Sequence, residues 1–262
     1  MIIFTANELA GWLAQLFWPF LRIGACLMIA PAFGATSVPP RVRVVLAGAL
    51  ALLIAPLLPP SPPVTPFSGE GCVIAAQQLL IGGALGFCLQ LLFDAVSLGG
   101  QLLANSMGLS FAFNLDPLHG GSSSTPALGQ LYSLLVTLTF LALNGHLTLI
   151  ETLVRSFASL PVGASGLGAN GLQAVVAWGA ELFNGALAIA LPGVTALLIV
   201  NLAFGVISRA APALNLFAVG LPIALVFGLA IVLCGLPVAQ ATFVQLLEQA
   251  FAMLRWLVGL PE

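Results

Sequence analysis

The chain has 262 residues, 60% of them hydrophobic, with six basic and eight acidic side chains and a net charge of −2. A soluble domain is about 25% charged, whereas this chain is 5% charged; it therefore either lives in a bilayer or hides its surface against partner subunits. The apolar content excludes disorder, and six scattered Arg with no Lys make no basic patch for nucleic acid.

In chain order, apolar runs between turn signals predict helices near 8–33, 42–58, 71–93, 95–112, 127–158, 172–207, 213–235 and 238–257. The N-terminal MIIFTANELAGW has no basic residue ahead of its apolar run and carries Glu8, so it is expected to be retained rather than cleaved as a signal. Pro39-Pro40 closes the first apolar region. The stretch Pro56 to Pro66 holds six Pro in eleven residues and predicts a stiff, extended connector. Uncharged stretches at 71–93, 95–115, 182–208 and 210–247 hold 23, 21, 27 and 38 residues, against the about 20 that a membrane-crossing helix needs. Asn114 to Pro126 and Leu160 to Gly171 read as polar, Gly-rich loops, while Ala210 to Pro212 and Gly235-Leu236-Pro237 predict further breaks. No period-two alternation points to a membrane β-barrel. The reading is an all-α chain of membrane-type helical hairpins, one domain over 1–262 without an internal repeat. Arg41 and Arg43 in one short loop and Arg209 in another orient it only weakly.

Polar groups inside this apolar sequence are costly unless paired or functional. Arg22 falls in the middle of the first helix, and Asp94 separates two apolar runs. Both are expected to pair with neighbouring helices. Glu151 and Arg155, four apart with the acid first, have the favourable order for a helical ion pair. Gln77, Gln78, Gln90, Gln101, Asn105, Asn144, Asn184 and Asn201 fit hydrogen bonding between helices. Gly82 and Gly86 form a GxxxG, a close-packing pattern that also arises by chance in Gly-rich sequence. His146 is expected to be a satisfied polar residue.

Gly166 to Gly171 matches GxGxxG, but no strand precedes it and the nearby acid is Glu181, so a dinucleotide reading fails. Ser165 lies in a loop with His119 and His146 both before it, so no protease dyad can be placed. Cys26, Cys72, Cys88 and Cys234 form no CxxC and read as small buried hydrophobes. A small-solute permease using Arg22, Asp94 or Glu181 remains an alternative.

Five stretches together resemble the FliR family, the R subunits of the flagellar type III export gate. They are Arg22-Ile-Gly through Ala30-Pro31-Ala-Phe33-Gly to Val38-Pro-Pro-Arg41-Val-Arg43; Gly99-Gly-Gln101 through Met107-Gly108-Leu-Ser-Phe111-Ala-Phe113-Asn114-Leu-Asp116-Pro117; Leu141-Ala-Leu-Asn144-Gly145-His146; Leu160-Pro161-Val-Gly163; and Leu191-Pro192 through Asn201, Ser208-Arg209-Ala-Ala-Pro212-Ala-Leu-Asn215 and Gly220-Leu-Pro222. Injectisome R subunits are the nearest alternative.

The resemblance implies a non-enzymatic subunit that assembles with P and Q subunits (FliP and FliQ) into a helical cone. The cone lies largely on the periplasmic side of the inner membrane, inside the basal-body ring. The implied chain joins a P-like part, roughly 1–180, to a Q-like part, roughly 181–262. FlhB-type and FlhA-type components, unfolded export substrates in transit and membrane lipid are the further implied partners, with no cofactor and no nucleic acid. The family's plug loop corresponds here to Met107, Gly108, Phe111, Phe113, Asn114, Asp116 and Pro117. Arg22, Asp94, Gln101, Asn105, Asn144, Asn201, Arg209 and Asn215 are then the expected polar assembly residues.

Overall fold

A computed structural model describes residues 6–31, 33–34, 38–59, 64–65, 68–109, 127–163, 166–210 and 216–260. Among these, regular structure is helical throughout: α1 (Ala6–Ile29), α2 (Pro40–Ile54) continued by a 3-10 turn (Ala55–Leu57), α3 (Gly69–Ser106), α4 (Ala127–Ala142), α5 (Gly145–Ser159), α6 (Ala169–Ala210) and α7 (Leu216–Leu257). The all-α, membrane-type expectation holds, and among the described residues four helices are long and apolar enough to cross a membrane, or up to five if α4 and α5 count as one bent span.

Three boundaries differ from the sequence reading. The runs 71–93 and 95–112 form one helix of 38 residues that passes through Asp94 and stops at Ser106. A single acid leaves the backbone ladder intact. What stops the helix is Gly108, whose φ of 77° turns the chain into the left-handed region. The run 127–158 is instead two helices bent by 65°, broken where Asn144 takes a φ of 56°. Asn tolerates that conformation better than other residues with a Cβ. The runs 213–235 and 238–257 are one 42-residue helix carrying both Pro222 and Pro237. A Pro removes one backbone donor, and in an apolar setting the remaining bonds still favour helix over an open loop. At 1.5 Å per residue, α3, α6 and α7 are about 57–63 Å long, twice the about 30 Å of a hydrocarbon core.

The chain divides into two compact units. The first comprises Met1–Leu91, Leu141–Gly179 and Glu248–Glu262. Its core includes Ile23, Leu27, Ile81, Leu85, Leu89, Leu149, Phe157 and Leu254. Trp18 and Ile74 form a buried pair lined by Phe17, Leu21, Val64, Ala75 and Val162. α1 and α3 touch backbone to backbone along one seam. A Cβ on Gly82 would fall inside contact distance of the Arg22 carbonyl oxygen, and one on Gly86 would sit 2.7 Å from the Cys26 oxygen. The Gly82/Gly86 pattern is therefore a true close-packing device, one helical turn repeated on both partners.

The second unit comprises Leu92–Phe140 and Ala180–Leu247. Phe93 is its hub, meeting Phe140 edge-on at 5.4 Å and Phe243 at 5.7 Å. Beside this trio lies a cavity of about 150 Å³ lined by Val96, Tyr132, Val136, Leu236 and Phe243 among others. Small residues again set the spacing. Gly185 admits Leu246 and Ala95, and Gly193 admits Leu103.

Candidate functional site

Two constellations gather some of the polar and loop residues that the sequence singles out. The first is centred on Arg22, which α1 carries into the first unit with no exposed surface. Its Nε donates to Gln78 Oε1 at 2.8 Å. One terminal nitrogen donates to the carbonyl oxygen and to Oγ of Ser156, both at 3.0 Å. The other donates to the Leu160 carbonyl at 2.8 Å. The guanidinium also stacks 4.1 Å from the centre of the Phe157 ring.

Chemically this is a helix cap. Ser156 and Leu160 lie at the carboxyl end of α5, where the macrodipole is negative; the Ser156 carbonyl also accepts from the Leu160 amide at 2.9 Å, and the Leu160 carbonyl lies past the last intrahelical donor. Arg22 supplies both the hydrogen bonds and the opposing charge, so it is stabilised without a carboxylate. Gln78 is four residues before Gly82, and the Gly seam brings the two backbones close enough for Gln78 to reach Arg22. The expected pairing of Arg22 with a neighbouring helix is therefore met by groups the sequence reading did not name as its partners: Ser156, Phe157 and the Leu160 carbonyl. The signal that was available is a lone buried Arg in a chain with a helix ending at Leu160-Pro161.

The second constellation is the carboxyl end of α3 in the second unit. Gln101 is partly buried and donates to Ser97 Oγ at 3.3 Å within its own helix. Asn105 is exposed, and its carbonyl accepts from the Gly108 amide at 3.1 Å. Met107 is 2% exposed and fills the space over Gly228, where a Cβ would meet its side chain at 2.5–2.8 Å. The last turn before the expected plug is thus anchored, and Gly108 redirects the chain. Phe111, Phe113, Asn114, Asp116 and Pro117 lie outside the described residues, as do Asn215, Ser165 and His119.

The remaining polar candidates do not converge. Asp94 is exposed midway along α3, and Asn201 and Arg209 are exposed on α6. Asn144 holds the α4–α5 bend, where its carbonyl accepts from the amides of Leu147 and Thr148. Glu151 and Arg155 form the expected ion pair at 2.7 Å on the exposed face of α5. His146 Nδ1 is buried with no hydrogen-bond partner among the described residues, so the expectation of a satisfied histidine is not met at that atom. Cys26 and Cys88 are buried as expected, but Cys72 and Cys234 are exposed. In an apolar environment an exposed thiol costs little, so burial was not required of them. Among the described residues no group of three or more His, Cys, Asp or Glu is placed to hold a metal.

The helices and their apolar exposure define an all-helical, membrane-type protein. The model for "Bacterial export proteins, family 1" matches residues 13–250. The chain is 38% identical over 254 residues to the flagellar biosynthetic protein FliR of Escherichia coli strain K12, covering 97% of this chain and 96% of that protein. It is 36% identical over 255 residues to the protein of the same name from Pectobacterium carotovorum, with the same coverage. To that of Aquifex aeolicus it is 31% identical over 247 residues, covering 94% of this chain and 95% of the relative. The chain belongs to this family of bacterial export proteins and is a flagellar export component.

Proposed function

We propose that the chain is a non-enzymatic core subunit of the flagellar type III export gate, joining P and Q subunits to form the entrance of the secretion channel. The observation that carries this reading is the family match over residues 13–250, which reaches both compact units and includes the residues that follow α3. In this reading the gate lies at the flagellar basal body, largely on the periplasmic side of the membrane plane. The P-like part runs over about 1–180 and the Q-like part over about 181–262.

The physical chemistry of the chain supports it. Helices about twice the thickness of the hydrocarbon core need cover beyond lipid. Many of their large apolar residues face outward, among them Val176, Phe183, Leu198, Leu202 and Val226. The loop after Gly108 carries Phe111 and Phe113, with Met107 at its root. Apolar side chains closing a narrow opening exclude water and ions by dewetting. They also yield to an extended chain, since they make no directional bonds to it. Energy must come from elsewhere, because a chain without Lys has no P-loop lysine. A permease reading loses its best residue, since the Arg22 guanidinium is occupied by Gln78, Ser156 and the Leu160 carbonyl.

The test is deletion of residues 108–116 in cells that assemble the whole gate. Membranes are expected to leak ions and small solutes while secretion continues. Unchanged permeability with secretion intact would refute the plug. Co-purification with P and Q subunits in one detergent-resistant complex is the companion measurement, and a stable lone monomer in cells would count against the gate.

A further inference from the structure

The outer face of α2 has a composition that its own chain does not use. α2 and the following 3-10 turn make an 18-residue apolar run, Pro40–Leu57, with only 17% of it buried. At 1.5 Å per residue it is about 27 Å long, close to one hydrocarbon thickness. Ala47, Ala51 and Ile54 turn inward, with Ala47 toward Gly24 of α1. On the other side, Arg41, Val45, Gly48 and Leu52 follow one another at helical spacing and share a face. Val45 is 71% exposed and Leu52 is 67% exposed. Nothing lies within 4 Å of where a Gly48 Cβ would be. The face is therefore apolar and exposed, with an exposed guanidinium at one end and open space over Gly48 in its middle.

Arg43 lies on the inward side of the helix, at helical spacing with Ala47, Ala51 and Ile54, and donates to the Val38 carbonyl at 3.0 Å. No Asp or Glu occurs between Glu8 and Glu70, so in sequence this end of the helix is cationic. The matching occupant has an anionic head and a hydrocarbon tail one helix long. We propose that this face is a binding site for an anionic phospholipid. The phosphate lies at Arg41, and an acyl chain lies along Val45, Gly48 and Leu52. The proposal concerns one helix and does not rest on the gate reading.

The test uses the full chain in nanodiscs of equimolar phosphatidylglycerol and phosphatidylcholine, with the lipids that stay bound counted by native mass spectrometry. Phosphatidylglycerol is expected to be enriched about fivefold per engaged Arg. Arg41→Gln should remove about fivefold of that enrichment. Gly48→Leu, which fills open space, should lower retention of both lipids. Equal retention of the two lipids by the unaltered chain, or enrichment untouched by Arg41→Gln, overturns the proposal. A photoreactive group at position 52, introduced in cells, separates lipid from protein. Lipid adducts support the site. Adducts with protein alone overturn it and leave the gate reading standing.

Discussion

Replacing Arg22 by Met keeps most of the side-chain volume and removes every hydrogen bond the guanidinium makes. Two acceptors then lose the donor that Arg22 supplies, the buried Gln78 Oε1 and the part-buried Leu160 carbonyl. Each buried, unsatisfied acceptor costs about 1–3 kcal/mol. The Ser156 hydroxyl loses less, because it still donates to the Leu153 carbonyl at 2.6 Å. The sum is about 3 kcal/mol, the part-buried carbonyl costing less than the buried amide oxygen. That is a large part of the about 5–15 kcal/mol that holds a typical protein together. The assay is SDS or thermal unfolding of the detergent-solubilised chain, followed by near-ultraviolet circular dichroism. Arg22→Lys should recover less than half of the loss, because one ammonium cannot reach acceptors on two helices in the same fork. Adding Gln78→Leu to Arg22→Met should recover about 1 kcal/mol by deleting an orphaned acceptor. If Arg22→Met costs less than about 1 kcal/mol, the helix-capping account of this residue is wrong.

Two further substitutions read the packing directly. Gly82→Ala should cost about 1–3 kcal/mol, because its Cβ meets the Arg22 backbone. Gly48→Ala, in open space, should gain up to about 1 kcal/mol of helix propensity. Equal effects of the two would refute the close-approach seam. Met107→Ala should cost about 2–5 kcal/mol by emptying the space over Gly228. Gly108→Ala should cost about 1–2 kcal/mol through its left-handed conformation. An unfolding midpoint unchanged by either would mean that the root of the loop is not anchored.

Much of this fold was legible because apolar composition and turn residues act locally. The boundaries of α2 and α6 and the end of α5 come within a few residues of the sequence reading. Where that reading broke helices too readily, at Asp94 and at Gly235 to Pro237, it applied rules suited to water. In an apolar surrounding, exposed backbone is costlier than a strained turn of helix, so the helices continue. The Asn144 bend went unseen, because Asn in a helical run carries no signal of its φ. The Arg22 site was half legible. A buried Arg demands partners, but those it found stand 56 to 138 residues away in sequence. Spacing along one helix cannot reveal them. The Gly82/Gly86 pair was visible and undervalued, since only the neighbouring helix shows which glycines face a backbone.

The capping of α5 by Arg22 also has a consequence in time. The Ser156 oxygens that receive the guanidinium are 134 residues downstream. At the about 5–20 residues per second of protein synthesis, Arg22 waits about 7 to 27 seconds for them. Throughout that interval α1 carries an uncompensated charge. It cannot settle into hydrocarbon as a finished span at an acceptable cost. The first helix to be made is thus among the last to be completed, and biogenesis must hold it near water until the end of α5 arrives.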